Sequence, residues 1–128
     1  MQYTLEQLEG ELSNPCHLQS GLIERCVQAR KKKIKDLSLE DIRTLLCQSV
    51  GLNYIVPLAL SFLEDDPLCS GGLYKGDLLA ALINIPDEFW RHNPDLNNRL
   101  VEIQILVKEI HQTLSEEIFP KLASFKFI

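Results

Sequence analysis

The sequence predicts an all-α protein, a single compact domain of about six helices that spans residues 1–128. Three observations lead to this prediction. Apolar residues recur at helical spacing in several successive segments. Ser, Thr, Asn, Gly and Pro stand where these segments begin and end, and the connections between them are short. No segment shows the alternation of apolar and polar residues that is typical of a strand.

The first two helices are predicted on either side of a break at residues 14–15, an Asn-Pro pair. The first helix opens with a capping box, in which the side chains of Thr4 and Gln7 bind free backbone amides. The second helix is predicted from about Pro15 to Lys32. Its amphipathic pattern places an apolar face toward the core.

The third and fourth helices form the most apolar part of the chain. Ser38 is predicted to be the N-cap of the third helix, and Gly51 the left-handed residue that ends it. The fourth helix is predicted to begin at Asn53 or Val56, so that Pro57 lies in its first turn, where a missing amide hydrogen costs little. The residues predicted to face the core from the third helix are Leu39, Ile42, Leu45, Leu46 and Val50.

The remaining helices come after a loop with three glycines at residues 68–76. This loop is not predicted to bind phosphate, because no strand precedes it and Asp77 would repel an anion; Asp77 is predicted to be the N-cap or a first-turn acid of the fifth helix. Pro86 begins a short turn of helix, and Asn93 is predicted to be the N-cap of the last long helix. That helix has apolar residues at spacings of 4, 3, 4, 3 and 4: Leu96, Leu100, Ile103, Val107, Ile110 and Leu114. Pro120 is predicted to end or kink any helix that continues beyond Leu114.

Composition and charge narrow the classes of function. Apolar residues make up 45% of the chain and charged residues 24%, as in ordinary soluble globular proteins. No apolar run reaches the roughly 18 residues of a membrane span, and the N-terminus lacks the features of a signal peptide, so a cytoplasmic protein with no membrane partner is expected. Five of the 13 basic residues lie in the run 30–35, which leaves eight basic against 18 acidic residues elsewhere, a balance of −10. Such a protein repels nucleic acid and attracts basic partners.

The basic run itself has two interpretations. Cations are favoured near the negative end of a helix dipole, so the run fits the end of the second helix. A nucleic-acid patch is the alternative, which the absence of interleaved aromatic residues and the acidic remainder of the chain disfavour.

Catalytic and metal-binding patterns are missing from the sequence. The four cysteines have no C-x2-C spacing and no histidine at ligand spacing, so no metal or cofactor is expected. None of His17, His92 and His111 is paired with a second catalytic residue type. We therefore expect no enzyme activity, no catalytic residue and no small-molecule substrate. An enzyme based on a pair of acids is the alternative, since carboxylates are plentiful, and it would lose activity on removal of one acid or histidine.

An acidic cluster, Glu64, Asp65 and Asp66, ends the predicted fourth helix, where negative charges oppose the helix dipole. One interpretation is a solvated turn before Pro67. The other is an acidic contact for a basic partner.

Four segments in the chain carry a family resemblance, and they occur in order: LEDIRTLLCQSVGLNYIVPLAL at 39–60, DPL at 66–68, LYKGDLL at 73–79 and FWRHNP at 89–94. Together they resemble the immunity proteins of bacterial contact-dependent growth inhibition (CDI) systems, in the group of small all-helical members. The sequence departs from the family pattern at 69–72, CSGG, where a more acidic loop is expected. If this loop meets the partner, its specificity has changed.

The resemblance implies a protein that binds its cognate C-terminal toxin domain in a 1:1 complex and neutralises it by occlusion. Such toxins are often nucleases, whose basic grooves suit an acidic inhibitor. The candidate toxin-binding residues are Glu64, Asp65, Asp66, Ser70, Tyr74, Asp77, Asp87 and Glu88. The alternative is a helical adaptor or regulatory module unrelated to toxins, which would give no protection against one.

Overall fold

The computed structural model describes residues 3–9 and 20–126, and none of these residues belongs to a strand. The helices are α1 (Leu5–Glu9), α2 (Ser20–Lys31), α3 (Leu39–Cys47), α4 (Leu52–Asp65), α5 (Asp77–Ile83), α6 (Asp87–His92), α7 (Pro94–Thr113) and α8 (Phe119–Ser124). A 3-10 turn, Ile34–Asp36, precedes α3, and a π turn, Leu114–Ile118, joins α7 to α8 without a break. The predicted all-α class is confirmed. The predicted break at 14–15 and the predicted start of the second helix lie outside the described residues.

The predicted caps of α1 and α3 are both present. The Thr4 hydroxyl accepts a hydrogen bond from the Gln7 amide, and the Gln7 side chain accepts one from the Thr4 amide, each at 3.0 Å. Ser38 and Asp41 form the same reciprocal pair at the start of α3, each at 3.1 Å. A cap of this kind stabilises a helix by about 1 kcal/mol.

Helix α4 lies at the centre of the fold and packs against α3, α5 and α7. Its buried side chains are Ile55, Val56, Ala59, Leu60 and Leu63. Helix α3 contacts α2 on one side and α5 on another. It buries Ile42, Leu45 and Leu46 at the predicted helical spacing.

The predicted place of Pro57 in the first turn of the fourth helix is wrong. Helix α4 begins at Leu52, which places Pro57 inside the helix and not in its first turn. The reason is the backbone of Gly51, which has a φ of +66° and is the N-cap of α4. Its carbonyl accepts hydrogen bonds from Tyr54 and Ile55, each at 2.9 Å. Gly51 is left-handed as predicted, but it begins α4.

Asn93 also differs from its prediction. It precedes α7, but its side chain makes no capping hydrogen bond to that helix. Instead, its Nδ2 donates to the Phe89 carbonyl at 2.8 Å and closes the end of α6. Pro94 occupies the first position of α7, where its missing amide hydrogen leaves no hydrogen bond unmade.

Candidate functional site

The loop between α4 and α5, residues 66–76, is held in place by hydrogen bonds to one buried carboxylate. Asp77 is the first residue of α5 and is only 3% exposed. It accepts hydrogen bonds from the backbone amides of Gly71, of Leu73 at 2.8 Å and of Tyr74 at 3.4 Å. Because three amides converge on one carboxylate, the backbone from 71 to 74 has a fixed course.

Arg43 reaches the same loop from α3. Its Nε donates to the Gly71 carbonyl at 2.9 Å and lies 3.8 Å from the Asp77 carboxylate. The fit is close, since a Cβ atom on Gly71 would lie 2.9 Å from the Cβ of Arg43. Burial by itself raises the pKa of Asp77, but the three amides and the Arg43 guanidinium outweigh it and hold that pKa below its ordinary value.

The supported loop turns large apolar side chains toward solvent. Leu73 is 68% exposed and Tyr74 is 58% exposed, and Leu68, earlier in the same loop, is 36% exposed. Ser70 is exposed as well, and its hydroxyl accepts a hydrogen bond from the Gly72 amide at 3.1 Å. Grouped exposed apolar residues on an ordered loop are typical of a protein contact surface.

Carboxylates flank this loop. Asp65 and Asp66 end α4 and are exposed. Asp66 also orders the loop, because its Oδ1 accepts a hydrogen bond from the Leu68 amide at 3.1 Å. Glu40 belongs to the first turn of α3, and its carboxyl carbon is 3.6 Å from where a Cβ atom on Gly72 would lie. No sequence pattern points to Glu40 as part of this surface, since only the fold brings α3 to this loop.

Glu64, the first acid of the predicted cluster, faces α7. Its carboxylate accepts two hydrogen bonds from Arg99, at 2.6 Å from Nη2 and 3.1 Å from Nε. These hydrogen bonds lower the pKa of Glu64. Because Arg99 neutralises this charge, Glu64 contributes less than Asp65 and Asp66 to the free acidic surface.

Comparison with known protein families places this arrangement in a functional context. A family model of CDI immunity proteins matches residues 6–100. The chain belongs to the CDI immunity protein family. The matched range includes the α4–α5 loop, its Asp77 and Arg43 support, and the flanking acids. No curated protein and no solved structure matches the chain.

Two of the candidate residues in this immunity protein lie apart from the loop. Asp87 and Glu88 are exposed in the first turn of α6. Helix α5, which rises about 10 Å, separates them from the Asp77 end of the loop. The structure therefore places Asp66, Ser70 and Tyr74 in one loop whose backbone is held by Asp77, with Asp65 just before it at the end of α4. Asp87 and Glu88 lie at a second position.

Membrane spans and metal clusters are both missing from the described ranges of the immunity protein, 3–9 and 20–126. No helix there is long and apolar enough to span a membrane. No group of three or more His, Cys, Asp or Glu residues there could hold a metal ion.

Proposed function

We propose that this immunity protein neutralises the C-terminal toxin domain of its own CDI system by binding it in a 1:1 complex. The toxin contact is the α4–α5 loop together with Asp65, Asp66 and Glu40. The observation that carries the proposal is the buried Asp77 carboxylate, which fixes the loop while its apolar side chains remain exposed. A loop that is ordered before binding loses little conformational entropy in the complex.

We take the toxin to be a nuclease whose substrate groove is occluded. Such a groove is basic, and the carboxylates around the loop would occupy phosphate positions in it. Charge complementarity of this kind speeds association. Tyr74 and Leu73 would supply the apolar centre of the interface, where tyrosine is a frequent source of binding energy.

The first experiment is calorimetric titration of the chain into the toxin domain encoded beside it, followed by a nuclease assay. Tight binding at one equivalent, with loss of nuclease activity at the same ratio, would support the proposal. A folded and active toxin that does not bind would overturn it, and a helical adaptor would then be the better description.

Substitutions in the loop locate the contact. Tyr74→Ala and Leu73→Ala should each weaken the complex at least about tenfold, or about 1.4 kcal/mol. Because both side chains are exposed, the stability of the free protein should change little. Toxin affinity that is unchanged in both variants would exclude the loop as the contact.

Charge reversal needs a control with the same change in net charge. Asp65→Lys with Asp66→Lys should slow association, whereas Glu116→Lys with Glu117→Lys, two exposed acids in the π turn, should have little effect. Equal effects of the two pairs would show that only overall charge matters. A third pair, Asp87→Lys with Glu88→Lys, tests whether the contact extends to α6.

A further inference from the structure

An apolar stripe runs along α7, the π turn and α8. Its first residues pack against the core, and its later residues continue past the core. The stripe consists of Ile103, Val107, Ile110, Leu114, Ile118 and Leu122. Ile103 is buried and Val107 packs against the core, but Ile118 is 40% exposed and Leu122 is 53% exposed. The principal contacts of the π turn among the described residues are with α7 and α8. Within residues 3–9 and 20–126, the outer half of the stripe is therefore less covered than its inner half.

The π turn keeps this stripe continuous. Up to Leu114 the spacing of the apolar residues alternates between 4 and 3, which is the pattern of a coiled-coil heptad. The same spacing would next place Glu117 and Lys121 on the stripe. A π turn contains about one residue more than an α turn, so Ile118 and Leu122 take those places instead. Glu117 and Lys121 pair with each other at 3.9 Å.

The charge of residues 101–128 indicates which kind of partner covers the stripe. Residues 101–128 contain four acidic and three basic residues, whereas residues 1–100 contain 14 acidic and 10 basic residues. The residues that flank the stripe include Gln104 and Thr113, whose side chains carry no charge. A nearly neutral apolar stripe has no complementarity to a basic toxin groove, but it is complementary to another nearly neutral apolar stripe.

We infer that two copies of the chain associate through this stripe as an antiparallel pair of helices. An antiparallel arrangement keeps the two acidic bodies at opposite ends of the pair, whereas a parallel one brings their like charges together. Helices α7 and α8 with the π turn rise about 46 Å in total, which is long enough for such pairing.

A groove beside the stripe sets the register of the pair. It has a volume of about 260 Å³ and lies between α5 and α7. The residues that line it are Leu79, Ile83, Leu100, Gln104 and Val107. In an antiparallel pair, Leu122 of one copy covers this groove beside Val107 of the other. The same register places the two Leu114 residues opposite each other.

The test is the mass of the full chain in solution, measured by sedimentation equilibrium across micromolar concentrations. The unmodified chain should be a dimer, and Leu114→Glu should be a monomer with unchanged circular dichroism, because Leu114 lies beyond the core. Gln112→Glu is the matched control, since it adds the same charge on the opposite face and should remain a dimer. A monomeric unmodified chain, or a dimeric Leu114→Glu variant, would overturn the inference.

Cross-linking tests the orientation. Under oxidation, Leu114→Cys should form a covalent dimer, whereas Leu122→Cys should not, because only the two 114 positions face each other. The unmodified chain, with its own four cysteines, gives the background. Equal cross-linking of both variants would contradict the antiparallel arrangement. A folded Leu114→Glu variant that loses toxin binding, beside a monomeric unmodified chain, would assign the stripe to the toxin instead.

Discussion

Asp77 and Arg43 bind the two polar backbone groups of the same residue, Gly71. The Asp77 carboxylate accepts from the Gly71 amide, and Arg43 Nε donates to the Gly71 carbonyl at 2.9 Å. The two side chains are 3.8 Å apart and largely buried, Asp77 at the start of α5 and Arg43 within α3. Loss of one partner would leave the other charge buried without its counter-charge, and this costs more than the pair contributes.

Asp77→Asn should lower the free energy of unfolding by about 2–3 kcal/mol. The asparagine keeps one acceptor oxygen, but its NH2 group faces backbone donors, and Arg43 loses its counter-charge. Urea unfolding at neutral pH measures the change. The control is Asp65→Asn, an exposed position where a change below about 0.5 kcal/mol is expected. Equal stability of the two variants would contradict the supporting role of Asp77.

Acid should destabilise the protein through carboxylates whose pKa values are lowered in the folded state. Burial raises the pKa of Asp77 and of Asp41, but hydrogen bonds and nearby cations outweigh it, and Arg99 lowers the pKa of Glu64. Their stabilisation is complete above the ordinary values of 3.8 for Asp and 4.5 for Glu, and it is lost as the pH falls through the lower folded values.

The urea midpoint should therefore change little above about pH 5 and fall steeply below about pH 4. In Asp77→Asn the fall should be shallower, since one of the titrating groups is gone. Two curves that run parallel through the acid range would show that Asp77 does not contribute to the pH dependence.

Gly51→Ala should lower the free energy of unfolding by about 2–4 kcal/mol, for two reasons that can be separated. The φ of +66° disfavours any side chain, and the new Cβ would lie 2.8 and 2.9 Å from the Cδ atoms of the buried Leu5. In a Leu5→Ala background the clash disappears, so Gly51→Ala should cost only about 1–2 kcal/mol there. The same loss in both backgrounds would show that Leu5 does not restrict this position.

The sequence predicted the helices well where their determinants are local. The Ser38 cap and the apolar face of α3 depend on residues within one or two turns. Gly51 was harder, because a left-handed glycine can end one helix or begin the next, and here contact with Leu5 accompanies the second outcome. Pro57 is tolerated inside α4 because the buried face of that helix outweighs one missing hydrogen bond.

The site was predictable only in part. The sequence predicts the acids at the end of α4 and the loop after it. It does not predict the hydrogen bonds that fix the backbone of this loop. Arg43 and Gly71 are 28 residues apart in sequence, so no local pattern joins them. The sequence does not distinguish Leu73 from a core leucine, because it does not show which apolar side chains stay exposed to solvent. Asp77 was predicted as a contact, whereas its burial makes it a support.

Within the acidic cluster, Glu64 should contribute less to toxin binding than Asp65, because Glu64 is already paired with Arg99 at 2.6 Å. Glu64→Gln and Asp65→Asn each remove one negative charge, yet only Asp65→Asn should slow association clearly at low salt. Arg99→Ala releases the Glu64 carboxylate and should speed association, at a loss of no more than about 1 kcal/mol in stability. Stopped-flow measurement of the association rate with the toxin checks all three variants. Slower association in Arg99→Ala would mean that Arg99 itself contacts the toxin, and that the acidic surface does not act by charge alone.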